Sequence, residues 1–591
     1  FIIIMNTLSE INYQRTGCGK APRPCPKGSE ESTNRSVWEI FFLCLLPFFI
    51  LSLSCEAQYQ KISTDEFYDK MQGAWIGQMA GVGWGLPTEF NWTTIIPEDK
   101  VPEWKNSMIN MQGNDDLYVE LTFVESMKKY GIDVSQRQAG IDFANSGYNL
   151  WAANRKGRDN LRKGIAPPES GHPQYSPNCD DIDYQIEADY SGIIAPGMPN
   201  VPIALGEKFG GIMNYGDGMY GGQFVGGMYS AAYFLNDIPQ IIEAGLACIP
   251  SESLYAQVIR DVIKWHGEHP DNFEHTWNLI MDKYYHTLDH QPFQQQLGTN
   301  RVGIDSKVNG AFIVMGLLYG NGDMDSTIVY SMRCGLDSDC NPSNAAGILG
   351  TMIGYKDLDK KFKAELNYDR KFSYSDYNLE DLYKISTQFA RELIVRNGGK
   401  IETDENGDEY FYIKKQSPSP SEFVASYDPG PYNANNRFSP EEMLQIKAWP
   451  RISFKEIYKN PPFDAVLVHA GRDVKPGLIE WNCMKQVLIT TPMSNERSVR
   501  IEMRNKDFEE WGNEEITATV SFMAGHEKGE SWKLLINGKE HILVGASNSK
   551  HGWVKVKIPV TKGMKWVNLE AADAEGESTK NYWTDFKMEL K

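Results

Sequence analysis

The chain has 591 residues, 41% hydrophobic and 23% charged, with a formal net charge of −19. That length exceeds one ordinary core and predicts two or three domains. The acidic balance argues against a nucleic-acid partner, because phosphate binding needs a clustered basic surface.

Residues 1–57 read as a targeting segment. Lys20, Arg23, Lys27 and Arg35 precede the apolar run "IFFLCLLPFFIL" (40–51), and the small residues of "SLSCEAQ" follow. This is the order of a secretory signal, with Met5 as the candidate start and cleavage expected after Ala57. The run is short for a membrane span and contains Pro47, so no stable span is expected. The implied location is periplasmic or extracellular. Lipid attachment at Cys55 is the alternative, although Ser52 stands where a lipobox prefers leucine. The remaining five cysteines are scattered and contain no C-x-x-C, so neither a disulfide framework nor a zinc ribbon is expected.

Residues 58–400 read as a helical domain. Ser63 or Thr64 is a candidate N-cap, with Phe67, Met71, Ala74 and Gln78 following at helical spacing. "DDLYVELTFVESMKKYG" (115–131) predicts a helix ended by Gly131. "SKVNGAFIVMGLLYG" (306–320) and "PSNAAGILGTMIG" (342–354) are apolar all round, as buried helices are. Residues 401–455 read as hairpin and linker: "KIET" and "YFYI" pair across Asn406-Gly407, and "QSPSPS" (416–421) follows. Over 456–591, "ITATVSFM", "WKLLINGKEHILV" and "WVKVKIPV" alternate, which predicts an all-β sandwich. Its tryptophans, including Trp511, Trp532, Trp553 and Trp583, are candidates for sugar stacking or for the sandwich core.

Three stretches combine carboxylates with special backbone: "GAWIGQMAGVGWGLPTE" (73–89), "GNDDLYVELT" (113–122) and "GLDSDC" (335–340). The last two set acidic groups just before helices. Such groups serve either as caps or as oxygen ligands for a hard divalent cation. An EF-hand fails, since Pro342 and Ile348 stand where glycine and glutamate are needed. No P-loop, G-x-S-x-G or H-E-x-x-H is present. "DDIDYQIEAD" (180–189) reads as a solvated acidic loop, with Asp189 as its candidate sugar-contacting carboxylate. "YGDGMYGGQF" (215–224) is either a glycine-rich turn into the helix "VGGMYSAAYFL" (225–235) or a ligand wall in which Asp217, Tyr220 and Gln223 contact substrate.

Together these motifs resemble the ADP-ribosylglycohydrolase family over roughly residues 62–356. Gly73, Gly77, Gly81, Gly85, Pro87 and Glu89 match its opening G-x-x-x-G-x-A-x-G-D-A-x-G-x-P-x-E. Asp115 and Asp116 match its T-D-D, and Gly335, Asp337 and Asp339 its G-x-D-x-D-T. The resemblance implies an all-α domain holding two magnesium or manganese ions. It makes Asn114, Asp115, Asp116, Asp337, Asp339 and Cys340 the metal positions, and puts Glu89 beside the scissile glycosidic bond. Asn114 and Cys340 replace threonines, and Val82 replaces an aspartate. The family's middle motif survives only as "YSGIIAPGMP" (190–199), where Gly192 is the candidate substrate contact and the arginine is missing.

The implied activity is exported, metal-dependent hydrolysis of an N- or O-glycosidic bond, with a small glycoside or polysaccharide as substrate. Two alternatives stand beside it: ADP-ribosyl hydrolysis proper, and a non-catalytic carbohydrate binder on a decayed scaffold.

Overall fold

The computed structural model describes residues 58–446, apart from 149 and 287–301, and the C-terminal strands given below. The targeting segment 1–57 and Trp511 lie outside the described residues. Strand β1 (Tyr59–Ser63) runs directly into helix α1 (Thr64–Gly85), whose N-cap is Ser63, its hydroxyl accepting from Glu66 N–H. A helix at Asp115–Tyr118 (α2) is followed by Glu120–Tyr130 (α3), which ends at Gly131 with φ 86°. That position has the left-handed φ that glycine alone adopts without strain.

The centre of the helical body is unusual in its closeness. Helix α1 lies against the helix Cys340–Ile353, with backbone meeting backbone. Gly73, Gly77, Gly81 and Gly85 recur every fourth residue and so share one face of α1. A Cβ at these positions would stand 2.2, 2.1, 2.1 and 2.2 Å from the carbonyl oxygens of Gly350, Ala346, Pro342 and Ser338. The glycines cost helix propensity, and their return is a helix pair with almost no side-chain layer between its members. Helix Ser306–Gly320 is buried nearly throughout, as its composition predicts.

Two segments differ from expectation. The glycine-rich 217–224 stretch is no turn: it is the first half of a helix, Asp217–Ala232. Its glycines let Tyr184, Tyr255 and Gln185 approach the backbone. The acidic stretch 180–189 is no solvated loop. Asp180, Asp181, Asp183, Glu187 and Asp189 are all buried. Lys307 pays part of that cost, its ammonium 3.1 Å from Asp180 and 2.8 Å from Asp305, with only 3% of its side chain exposed.

The hairpin forms as expected, β2 (Lys400–Thr403) pairing with β3 (Glu409–Lys414) so that Thr403 opposes Glu409. β1 adds to the free edge of β3 and completes a three-stranded sheet in the order β1-β3-β2. The segment read as a linker is also held by the helical body. Ser421, Val424 and Ser426 bond Gln223, Tyr220 and Asp217. Glu442 and Asn436 receive the Arg137 guanidinium.

The C-terminal strands, β4 (Ser453–Glu456), β5 (Leu488–Thr490), β6 (Val499–Arg504), β7 (Ala518–His526), β8 (Trp532–Ile536), β9 (Lys539–Leu543), β10 (Val554–Val560), β11 (Trp566–Ala572) and β12 (Asn581–Leu590), form two antiparallel sheets. Their orders are β10-β7-β12-β5 and β4-β6-β11-β8-β9. In β10, Val556 and Ile558 are buried and Lys555 and Lys557 exposed, the alternation expected of a half-buried strand. Among the described residues no helix is long and apolar enough to cross a membrane, and Cys179, Cys248, Cys334 and Cys340 are free and buried.

Candidate active site

The three acidic motifs, far apart in sequence, meet at one end of the α1 pair. Beyond Gly85, Pro87 and a single 3₁₀ turn (Leu86–Thr88) redirect the chain so that Glu89 follows immediately. The Thr88 hydroxyl lies 2.7 Å from that of Ser338, between the two aspartates of the third motif. Phe90 N–H donates to Leu336 O at 2.9 Å, and Leu336 N–H to Trp92 O at 2.8 Å, so the first and third motifs are stitched by backbone. Asn114 caps α2, its side-chain oxygen accepting from Asp116 N–H at 2.9 Å. Its amide reaches Asp339 Oδ2 at 3.4 Å and ties the second motif to the third.

The capping explanation fails for the key aspartates. Asp339 occupies an N-cap position but its side chain makes no cap bond. Asp116 and Asp337 are 0% and 1% exposed, and apart from weak contacts with the Cys340 thiol and, for Asp337, the Asp339 carboxyl, their four carboxyl oxygens have no hydrogen-bond donor. Buried carboxylates left in this state are costly unless a cation takes up the lone pairs. Oxygen donors on rigid helix ends suit a hard divalent ion, so the residues present fit the metal that the motif pattern implies.

Electrostatics places the acids together. Burial, then the Asp339, Asp115 and Asp337 charges, pushes Asp116 well up. Burial, then Asp339 and Asp115, raises Glu89 to about 8. The donor atoms of Asp337, Asp339 and Cys340 lie within 4.8 Å of one another. Cys340 is held as a thiol by burial and the surrounding aspartates, and its Sγ donates to Asp339 Oδ1 at 3.5 Å. A neutral thiol is a poor ligand for magnesium.

A cleft of about 440 Å³ opens over this cluster, a volume suited to a small molecule. Glu89, Asp115, Asp337 and Cys340 line it. Three of its lining residues, Phe90, Ala152 and Leu336, hold positive φ angles of 51°, 37° and 55°. Non-glycine residues in that region are strained, and such strain gathers where a site must be shaped.

Sequence reasoning missed the cleft's other wall, made by Trp151, Asn154, Asp183 and Glu187. Asp183 accepts from Ala153 N–H at 3.1 Å and Asn154 N–H at 3.0 Å, capping the helix Ala152–Arg162 from outside. The available signal was the interleaving of acids with Ile182, Tyr184, Ile186 and Tyr190, which a solvated loop has no reason to carry.

The proposed substrate contacts are placed elsewhere. Asp189 sits in the core behind the cluster, accepting from Gln78 at 2.6 Å and Asn344 at 2.8 Å. Gly192 is a packing position, where a Cβ would meet Gly226 O at 2.2 Å. Asp217 accepts from Tyr255 N–H and the Ser426 hydroxyl. Tyr220 accepts from Val424 N–H, and Gln223 donates to Ile203 O and Ser421. None of these five lines the cleft. They bind the helical body to its own chain.

A solved structure described as an ADP-ribosylglycohydrolase-related protein complex is 12% identical, with a TM-score of 0.36, over 55% of this chain and 99% of that one. No curated protein matches. The ADP-ribosylglycohydrolase family model matches residues 63–395, more than half of the chain and all three acidic motifs. The chain belongs to the ADP-ribosylglycohydrolase family.

Proposed function

We propose that this protein is an exported, divalent-cation-dependent hydrolase of a glycosidic bond. The observation that carries the reading is the convergence of Glu89 with buried, poorly partnered Asp116 and Asp337 beneath one cleft. Asp115, Asp116, Asp337 and Asp339, with the Asn114 side-chain oxygen, would hold magnesium or manganese, and four carboxylates offset the charge of two such ions. A bound divalent cation supplies stabilisation of negative charge on oxygen and acidifies water. Burial, then the Asp339 and Asp115 charges, raises Glu89 to about 8 in the metal-free site, which favours its protonated form. It can deliver that proton to the leaving-group oxygen as the sugar approaches an oxocarbenium-like state.

The cleft favours a sugar over the ADP-ribosyl group. Among the described lining residues are five carboxyl groups and no lysine, arginine or histidine, which is a poor setting for a pyrophosphate. Export is supported by the signal-like order of residues 1–57. Packing of the two C-terminal sheets as a sandwich, serving as a carbohydrate-binding module, completes the reading.

The test is release of sugar from a panel of aryl glycosides and ADP-ribosyl compounds with Mn²⁺ or Mg²⁺ present. Turnover should vanish with chelator and return with metal. Glu89→Gln should retain metal binding and lose about 10²–10⁴-fold in rate. Chelator-resistant turnover, or an unimpaired Glu89→Gln enzyme, would refute the mechanism.

A further inference from the structure

We infer that the Trp151–Asn154–Glu187 wall of the cleft is a subsite for an uncharged, hydroxyl-bearing sugar ring, beside the metal-binding aspartates. The inference rests on reading this cleft as a glycoside site, and it names the chemistry that the site selects.

The polar part of the wall is incomplete by itself. Glu187 is 1% exposed and Asn154 4%, and both line the cleft. The Asn154 amide donates to Glu187 Oε1. Glu187 Oε2 and Asn154 Oδ1 have no partner. Asp183, four residues before Glu187 on the same wall, shows the contrast: both its oxygens are satisfied by backbone N–H groups. Buried acceptors without donors are rare and call for an explanation. Two acceptors side by side match the paired hydroxyls of a sugar ring, and the lining offers nothing to hold an anion.

The apolar part stands at the mouth. Trp151 is 56% exposed and Phe90 49% exposed, large aromatic surfaces left to solvent beside a cleft. Both are fixed in place. Phe90 itself holds φ 51°, and Ala152, next to Trp151, holds φ 37°. Asp183 pins the helix start that carries both Trp151 and Asn154. One helix terminus therefore presents an aromatic face and an amide together. An aromatic face packs against the C–H face of a sugar while acceptors take its hydroxyls, and exposed aromatic surface beside a cleft marks such a binding role.

The test uses the full chain carrying Glu89→Gln, loaded with Mn²⁺ and titrated calorimetrically. The probes are methyl glucoside, methyl galactoside and methyl arabinofuranoside, with glucosamine and ADP-ribose as the charged comparisons. At least one methyl glycoside should bind saturably and more tightly than either charged probe. Adding Glu187→Gln should weaken it about tenfold, because an amide NH₂ replaces the oxygen that takes the sugar hydroxyl. Adding Trp151→Ala, at an exposed position that the fold tolerates, should weaken it by a similar factor. Mn²⁺ affinity should stay within about twofold in Glu187→Gln; Trp151→Ala also removes a hydrogen bond to Asp115, so its sugar affinity is read at saturating Mn²⁺. The inference is overturned if no methyl glycoside binds, if glucosamine or ADP-ribose binds more tightly, or if both variants bind as the parent does. Binding as described without turnover in the wild type would instead sink the hydrolase reading and leave the subsite standing.

Discussion

Gly81→Ala tests whether the glycine ladder of α1 is what assembles the site. The added Cβ would lie 2.1 Å from the Pro342 carbonyl oxygen, where contacts below 3.4 Å are already tight. The obstacle is backbone within a buried helix, so no side chain can swing aside. The two helices must part by roughly 1 Å, and overpacking of this kind costs about 1–3 kcal/mol. We expect the upper end, because the same face carries three more close approaches. In a body of this size, about 3 kcal/mol lowers Tm by roughly 3–5 °C. The shift also moves the start of the Cys340–Ile353 helix, where Asp339 sits, so Mn²⁺ affinity should fall about tenfold. Gly267→Ala is the control. It lies in the helix Leu254–Glu268 with nothing within 4 Å of an added Cβ, and should stabilise by about 0.4–1 kcal/mol. Differential scanning calorimetry and metal titration read both variants. A Gly81→Ala protein with unchanged Tm and metal affinity would refute the argument.

Chelator should lower Tm of the wild type, and Mn²⁺ at about a hundred times its Kd should restore about 2.7 kcal/mol. Asp337→Asn should abolish that gain and, without metal, match or exceed wild-type stability, because it removes a buried carboxylate that no strong donor satisfies. Metal-free stability should fall as pH rises from about 4 to 8. Burial raises Asp183 to about 7 and Asp189 to about 8 in the folded state. Their contribution is complete below the unfolded value of 3.8 and lost as pH climbs through those folded values. A denaturation midpoint that is flat or rising over that range would contradict this. Lys307→Ala should cost about 3–5 kcal/mol in urea unfolding, since it strands Asp180 and Asp305 in the core.

Much of the candidate site was legible in the chain itself. The ladder of glycines, the Pro87–Glu89 turn and the paired aspartates before helices are local patterns, and local patterns survive in sequence. So does the Asn406-Gly407 hairpin, because turn chemistry is set by the residues in the turn. The first half of the helix Asp217–Ala232, residues 217–224, was not legible, because its glycines oppose helix propensity and only packing against Tyr184 and Tyr255 offsets that. The linker reading failed in the same way. Polar, proline-rich residues look unattached until the helical body supplies Gln223, Tyr220, Asp217 and Arg137 as partners.

The sequence alone determined which residue types could hold a cation and that they stand at helix starts, since both depend on side-chain chemistry and short-range spacing. Only the tertiary structure decided which acids face the cleft. Asp189 and Glu187 are two residues apart and equally acidic, yet one is bonded into the core by Gln78 and Asn344 and the other lines the cleft. That choice follows from which neighbours arrive from distant parts of the chain, and burial and hydrogen-bond partners are properties of those neighbours.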